Sequence, residues 1–236
     1  MNEIDRDPDG VRRVRAANPS ALTLEGTNTY VVGRWVVDPG PDDPDHLEAV
    51  RAAASEGIEA AVLTHGHGDH ADGAPALGVP IHRPGDGETA GPFRAIGTPG
   101  HSPDSVSLIW EERVCFTGDT VLGSGSVFIA PGEGSLSAYL DSLRRLRALP
   151  LEVLAPGHGP YVWDPAAKLD EYIAHRLERE QRLVAALDAG LRTKDELLDS
   201  AWSDAPAELR YFAGLSLASH LEKLEEEGRL PEGVER

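Results

Sequence analysis

From Thr64 the chain reads Thr-His-Gly-His-Gly-Asp-His, which places His65, His67, Asp69 and His70 within six residues. Imidazoles and a carboxylate at this density form the donor set of a divalent metal site, with zinc the first expectation. A purely structural origin is disfavoured, because so many polar groups would carry an uncompensated desolvation cost if buried without a cation. Gly66 and Gly68 are expected to let the backbone turn sharply enough for the four donors to converge. The apolar run Ala60 to Leu63 leads straight into this loop, as a strand feeding a site would.

Three further donors each follow a β-type segment: His101 in Thr98-Pro99-Gly100-His101-Ser102, Asp119 in Thr117-Gly118-Asp119-Thr120, and His158 in Ala155-Pro156-Gly157-His158-Gly159. Taken singly, a Gly-His after a strand is more often a turn histidine; the His-rich loop upstream is what makes all three candidates for one site. Seven donors exceed what one tetrahedral ion uses, so two divalent cations are expected, Zn2+ first, with Mn2+ or Fe2+ as substitutes. Such a pair brings the pKa of a shared water towards neutrality, and the expected nucleophile is therefore a metal-bridging hydroxide. Asp69 is the candidate catalytic residue for orienting that water and handling its proton. No Gly-x-Ser-x-Gly elbow offers a serine nucleophile, and the single cysteine, Cys115, lies in the apolar run Val114-Cys115-Phe116 and reads as a buried strand thiol.

The elements that must position these donors are short. Tyr30 to Val32, Trp35 to Val37, Ala60 to Leu63, Ser105 to Ile109, Val114 to Phe116 and Val153-Leu154 read as strands, and His46 to Ser55 and Leu136 to Leu146 as helices. Residues 1–164 thus read as a layered α/β catalytic domain. Beyond Pro165 the β-type runs disappear. Leu169, Tyr172, Ile173, Leu177, Leu183, Val184 and Leu187 share a helical face, followed by helical patterns over Lys194 to Trp202 and Glu208 to Glu227, the last ending at Gly228 as a cap. Residues 165–236 therefore read as a small helical domain of about three helices, whose tail closes as a turn or a small wing.

Taken together, the HxHxDH loop and the later His, Asp and His resemble the metallo-beta-lactamase superfamily over nearly the whole chain. The resemblance implies an αββα sandwich with the site at one edge. It also implies that His65, His67 and His101 hold one metal, that Asp69, His70 and His158 hold the other, and that Asp119 bridges them. Asp38, in Val37-Asp38-Pro39-Gly40, is implied to support the metal loop from behind; from its local sequence alone it reads equally as a turn residue. Thr27 and Asn28 are candidates to line the cleft, with an Asx turn as the alternative.

A closer resemblance is to the beta-lactamase-like-two branch, which includes mitochondrial single-strand endoribonucleases and related bacterial hydrolases and ends in a winged-helix-like domain. It rests on Asn18-Pro19, on Leu22 to Tyr30 and on Leu217 to Gly228; the chain differs in having Gly66 and Gly68 where that branch carries bulkier residues. The substrate this implies is single-stranded RNA, cut at its phosphodiester bonds. The alternative is a small thioester, hydrolysed as in glyoxalase II with the same seven positions. A catalytically silent binding module is a third reading, disfavoured by the complete donor set.

Composition limits these choices. A formal net charge of -18 repels polyanions at long range and argues against a binder driven by counterion release, although bound divalent cations can invert the local field. The helical segment carries 10 Lys and Arg against 16 Asp and Glu; Arg176, Arg179 and Arg182 can share a face, either for phosphates or to pair with Glu178 and Glu180. His46, His82, His175 and His220 stand away from clustered donors and are given no metal role. No stretch is long and apolar enough for a membrane span, and Met1 to Asp9 is acidic rather than signal-like, so a cytoplasmic protein with no membrane partner is expected, with a homodimer left open and a periplasmic beta-lactamase disfavoured.

Overall fold

The computed structural model describes residues 6–235, so Met1 to Asp5 of the acidic start lie outside the described residues. Two five-stranded sheets face each other. The first has the order β1 (Val11–Arg15), β2 (Asn28–Val32), β3 (Trp35–Val37), β4 (Ala60–Val62), β5 (Ile81–His82). The second has the order β10 (Val153–Pro156), β9 (Val114–Gly118), β8 (Val106–Trp110), β7 (Phe93–Gly97), β6 (Thr89–Ala90). β3, β4 and β5 run parallel, as do β9 and β10, while the other pairings are antiparallel.

Side-chain alternation along each strand explains the layering. On β2, Tyr30 and Val32 point between the sheets with Val37, Phe93, Leu108, Val114, Phe116 and Val153, whereas Val31 points outward with Val36 to meet Val50 of α1 (Pro44–Ala53) and Ala54 just after it. On the far side Ile96, Ile109, Cys115 and Leu154 meet Leu136, Leu140, Leu143 and Leu146 of α3 (Leu136–Arg147) and Leu169 and Tyr172 of α4 (Pro165–Asp188). The result is an αββα sandwich. Strands covered on both faces are buried along their whole length, as Asn28–Val32 and Val114–Gly118 are; the buried Asn28 and Thr29 are tolerated because their side chains are hydrogen-bonded.

Four of the helices start where the sequence supplies caps: Asp43 and Asp164 precede Pro44 and Pro165, Ser135 accepts from Ala138 N, and Thr193 forms a capping box with Glu196 at α5 (Lys194–Ala201). α4 serves two cores. Its first half lies on the second sheet, and its second half joins α5 and α6 (Arg210–Glu226) around Leu183, Leu187, Leu197, Trp202, Leu217, Leu221 and Leu224. After α6, Gly228 takes φ 67 as the helix stops, and the described tail folds as a turn, without a strand. No helix among the described residues is long and apolar enough to cross a membrane.

Candidate metal centre

The seven candidate donors leave the sheets at one edge. β3 ends at Asp38, β4 runs into the loop that carries His65 and His67 and into the single turn α2 (Gly68–Ala71) that carries Asp69 and His70, and His101, Asp119 and His158 follow β7, β9 and β10. β7, β9 and β10 share a direction in the second sheet, so their C-terminal ends open on the same side. The expectation that Gly66 and Gly68 provide unusual backbone freedom is corrected: neither has positive φ. The cluster does need Gly118, at φ 48 with a Cβ that would lie 2.3 Å from Thr64 Oγ1, and Gly157, where a Cβ would lie 2.5 Å from His70 Cε1 and 2.6 Å from Asp119 Oδ1.

The donors fall into two sets that share Asp119. His67 Nδ1 faces His65 Nε2 at 3.1 Å and His101 Nε2 at 3.0 Å, and Asp119 Oδ2 lies 3.7 Å from His101 Nε2. On the other side His70 Nε2 and His158 Nε2 lie 3.3 Å apart, Asp69 Oδ2 is 3.5 and 3.3 Å from them, and Asp119 Oδ1 is 3.4 and 3.3 Å from them. Atoms bonded to one tetrahedral zinc at about 2.0–2.1 Å stand roughly 3.4 Å apart, so this spacing fits a shared cation in each set. Two further observations agree. Asp119 Oδ1 is buried yet accepts no hydrogen bond, and ring nitrogens facing one another at this distance cannot all be satisfied by protons.

Electrostatics give the same account. Burial lowers the pKa of His65 to about 3, helped by the neighbouring His70 cation. Burial also opposes charge on His70 and His158, but Asp119 outweighs it, raising His70 well above the ordinary value and His158 to about 9, with Asp38 and Asp69 adding to the effect. Burial would raise the carboxyls, yet His70 and His158 hold Asp119 well below the usual carboxylate range, and a hydrogen bond from His158 leads in bringing Asp69 down to about 2. Without metal, the two carboxylates thus draw protons onto the facing imidazoles, and a bound cation takes the place of those protons.

The sequence pattern of the metallo-beta-lactamase superfamily matches residues 22–79 and 77–158. The chain belongs to the metallo-beta-lactamase superfamily. It is 30% identical over 267 residues to a beta-lactamase-like protein 2 homolog of Caenorhabditis elegans, covering 97% of this chain and 88% of that protein, which places it with the beta-lactamase-like-two branch. It is 34% identical over 215 residues to an Aspergillus chevalieri protein named atrochrysone carboxyl ACP thioesterase, covering 79% of this chain and 68% of that one. Among solved structures, a metallo-beta-lactamase family protein of Thermus thermophilus shares the fold with a TM-score of 0.75 at 24% identity, over 93% of this chain and 94% of that one.

Behind the metallo-beta-lactamase donors stands a layer that orients them. Asp38 Oδ2 accepts from His70 Nδ1 at 3.0 Å and from Thr64 Oγ1 at 2.7 Å, while its Oδ1 accepts from Thr64 N at 2.8 Å. Thr64 Oγ1, having given its proton to Asp38, accepts from His65 Nδ1 at 3.0 Å. His101 Nδ1 and His158 Nδ1 donate to Phe128 O and Gly26 O, each at 3.4 Å. Thr27 Oγ1 donates to Asp69 Oδ2 at 3.1 Å and accepts from Asn18 Nδ2 at 2.9 Å. Asn28 does not line the cleft: its Nδ2 donates to Pro156 O and Gly159 O at 2.9 and 2.8 Å, tying down the loop that carries His158. Thr64, Asn18 and Phe128 were missed by sequence reasoning. Thr64 adjoins the motif and could have been found; Asn18 and Phe128 reach the site only through the fold. His46 Nε2 donates to Thr29 Oγ1, 2.9 Å away, whose own proton goes to Asp38 O, and like His82, His175 and His220 His46 joins no donor cluster among the described residues.

The donors open into a cleft of about 610 Å³ whose walls come from three places: Ser20 to Leu24, Leu122 to Phe128, and Leu209 and Phe212 at the start of α6. Apart from the candidate donors, the only charged side chain among its described lining residues is Glu133. The three arginines of α4 are engaged elsewhere. Arg176 is buried and donates to Val127 O and to Ser126 Oγ (3.1 Å), Arg179 pairs with Asp204 at 2.6 Å, and Arg182 pairs with Glu178 and Asp204.

Proposed function

We propose that this chain hydrolyses acyl thioesters with two divalent cations, zinc as the expected metal: one held by His65, His67 and His101, the other by Asp69, His70 and His158, and both by Asp119. The observation that carries the thioester reading is the cleft. A phosphodiester backbone is met by Lys and Arg, and among the described residues none lines the walls; the arginines that were candidates for RNA are paired with carboxylates or used to hold a loop. A neutral thioester carbonyl needs no such counter-charge. The thioesterase name of the Aspergillus chevalieri relative supports the same reading.

Bound divalent cations would acidify a water and stabilise negative charge developing on the carbonyl oxygen. The chain's residues do the rest. The Asp69 side chain is 30% exposed and faces the cleft, where it accepts a hydrogen from the attacking water, while the Thr27 hydroxyl fixes its orientation. The water oxygen bonds to the carbonyl carbon as Asp69 takes one of its protons, the C–S bond breaks, and the thiolate takes that proton from Asp69, so that a thiol and a carboxylic acid carrying the water's second proton are released and Asp69 is an anion again. Initial rates on an acyl thioester, a single-stranded RNA and nitrocefin test this side by side. Thioester turnover with kcat/KM at least a hundredfold above the others is expected; RNA cleaved as fast as thioester would overturn it.

A further inference from the structure

We infer that the cleft wall formed by Leu22, Leu24, Val127, Phe128, Leu209 and Phe212 is an acyl-group subsite, and that the substrate's acyl group is bulky and apolar; the inference rests on the thioester reading. The wall is costly to leave bare. Leu22 and Leu209 are 45% and 44% exposed, and an apolar patch of this kind beside a polar centre marks a surface that is covered in use. Its members come from three segments far apart in sequence, and the fold gathers them beside His67, His101 and Asp119.

The geometry connects wall and centre directly. Phe128 packs against Phe212 with tilted rings 5.7 Å between centroids, and its ring lies 6.3 Å from that of His101, whose Nδ1–H its carbonyl also accepts. An acyl chain lying on Phe128 and Phe212 therefore brings its carbonyl next to the metal donors. The volume of about 610 Å³ is that of a pocket for a drug-sized group, much larger than an acetyl group requires. Glu133 on the rim opposes an acyl group that ends in a carboxylate. α6 thereby gains a role in specificity, because it supplies Leu209 and Phe212 at its start.

The test is a series of N-acetylcysteamine thioesters (acetyl, butyryl, hexanoyl, octanoyl, benzoyl and succinyl) with zinc-loaded protein. Burying a methylene is worth roughly two- to fourfold in kcat/KM, so the straight-chain series should climb by that factor per carbon, benzoyl should exceed acetyl, and succinyl should fall below butyryl. Phe212→Ala should reduce the octanoyl value about tenfold and flatten the climb. Leu209→Ser, at a position already 44% exposed, should flatten it too and serves if Phe212→Ala fails to fold. A wild-type series flat in chain length, or a climb unchanged in both variants, overturns the subsite while the thioester reading stands. No turnover of any member defeats the thioester reading itself.

Discussion

At the scale of single residues, the centre depends on groups that never touch a cation. Asp38 takes three hydrogen bonds and sits at φ 48, a left-handed conformation that Asp and Asn tolerate better than most residues. Asp38→Asn should therefore keep the backbone but lose an acceptor for either Thr64 or His70. The expected outcome is a 10- to 100-fold weaker metal affinity with the fold retained, measured by competition with a chromophoric chelator and by circular dichroism. The donors themselves were legible in the sequence because a strand end fixes where a residue emerges, and five of the seven lie in loops that directly follow a strand. Asp69 and His70 ride the one-turn α2, too short for any periodicity to reveal. Asn28 was legible as important but not for its use, since the carbonyls it holds lie 128 and 131 positions away.

Among elements, the loop from Leu122 to Phe128 is the one most dependent on distant support. Arg176 and Tyr172 of α4 hold it, the tyrosine hydroxyl donating to Gly125 O at 2.9 Å and accepting from Leu122 N at 3.2 Å. Arg176→Met keeps an apolar stem beside Tyr139 but removes the donors to the loop. It should cost roughly 2–4 kcal/mol of stability and raise KM for a thioester about tenfold as the wall carrying Phe128 shifts, read by urea denaturation and initial rates. Strands with apolar runs were visible beforehand, because burial on both faces requires such runs. β1, with three arginines in five residues, and the two-residue strands β5 and β6 were not, since edge strands make few demands on composition. β7 was missed for a different reason: Arg94 interrupts its run, pairing with Glu112 from the next hairpin turn.

For the molecule as a whole, the helical segment and the sandwich are joined through α4, and one buried histidine makes that junction sensitive to acid. His220 packs against Trp202 and donates from Nδ1 to Ser216 O at 2.7 Å; burial lowers its pKa to about 4, with the Ser216 carbonyl opposing. The unfolded chain binds this proton below about 6.5 and the folded chain only below about 4. The stability contributed by neutral His220 is thus complete above pH 6.5 and is lost as pH falls towards 4, a change on the order of 3 kcal/mol. His220→Gln should reduce the difference in urea midpoint between pH 7 and pH 4.5, to which the buried His65 also contributes; an unchanged difference would mean that His220 plays no part in it. The fold class and the helical texture past Pro165 could be read from periodicity, but the reach of α6 into the cleft could not, because Leu209 and Phe212 carry no sequence mark of facing a site formed some 50 to 190 positions earlier.

The most direct test of the whole account is a zinc titration of chelator-stripped protein, followed by thiol release from an acyl thioester. The seven donors, arranged as two sets sharing Asp119, should give no release without metal and a rate that rises to a plateau at about two equivalents per chain. Stripped protein that turns over thioester as fast as the zinc-loaded form, or a plateau reached at a single equivalent, would contradict it.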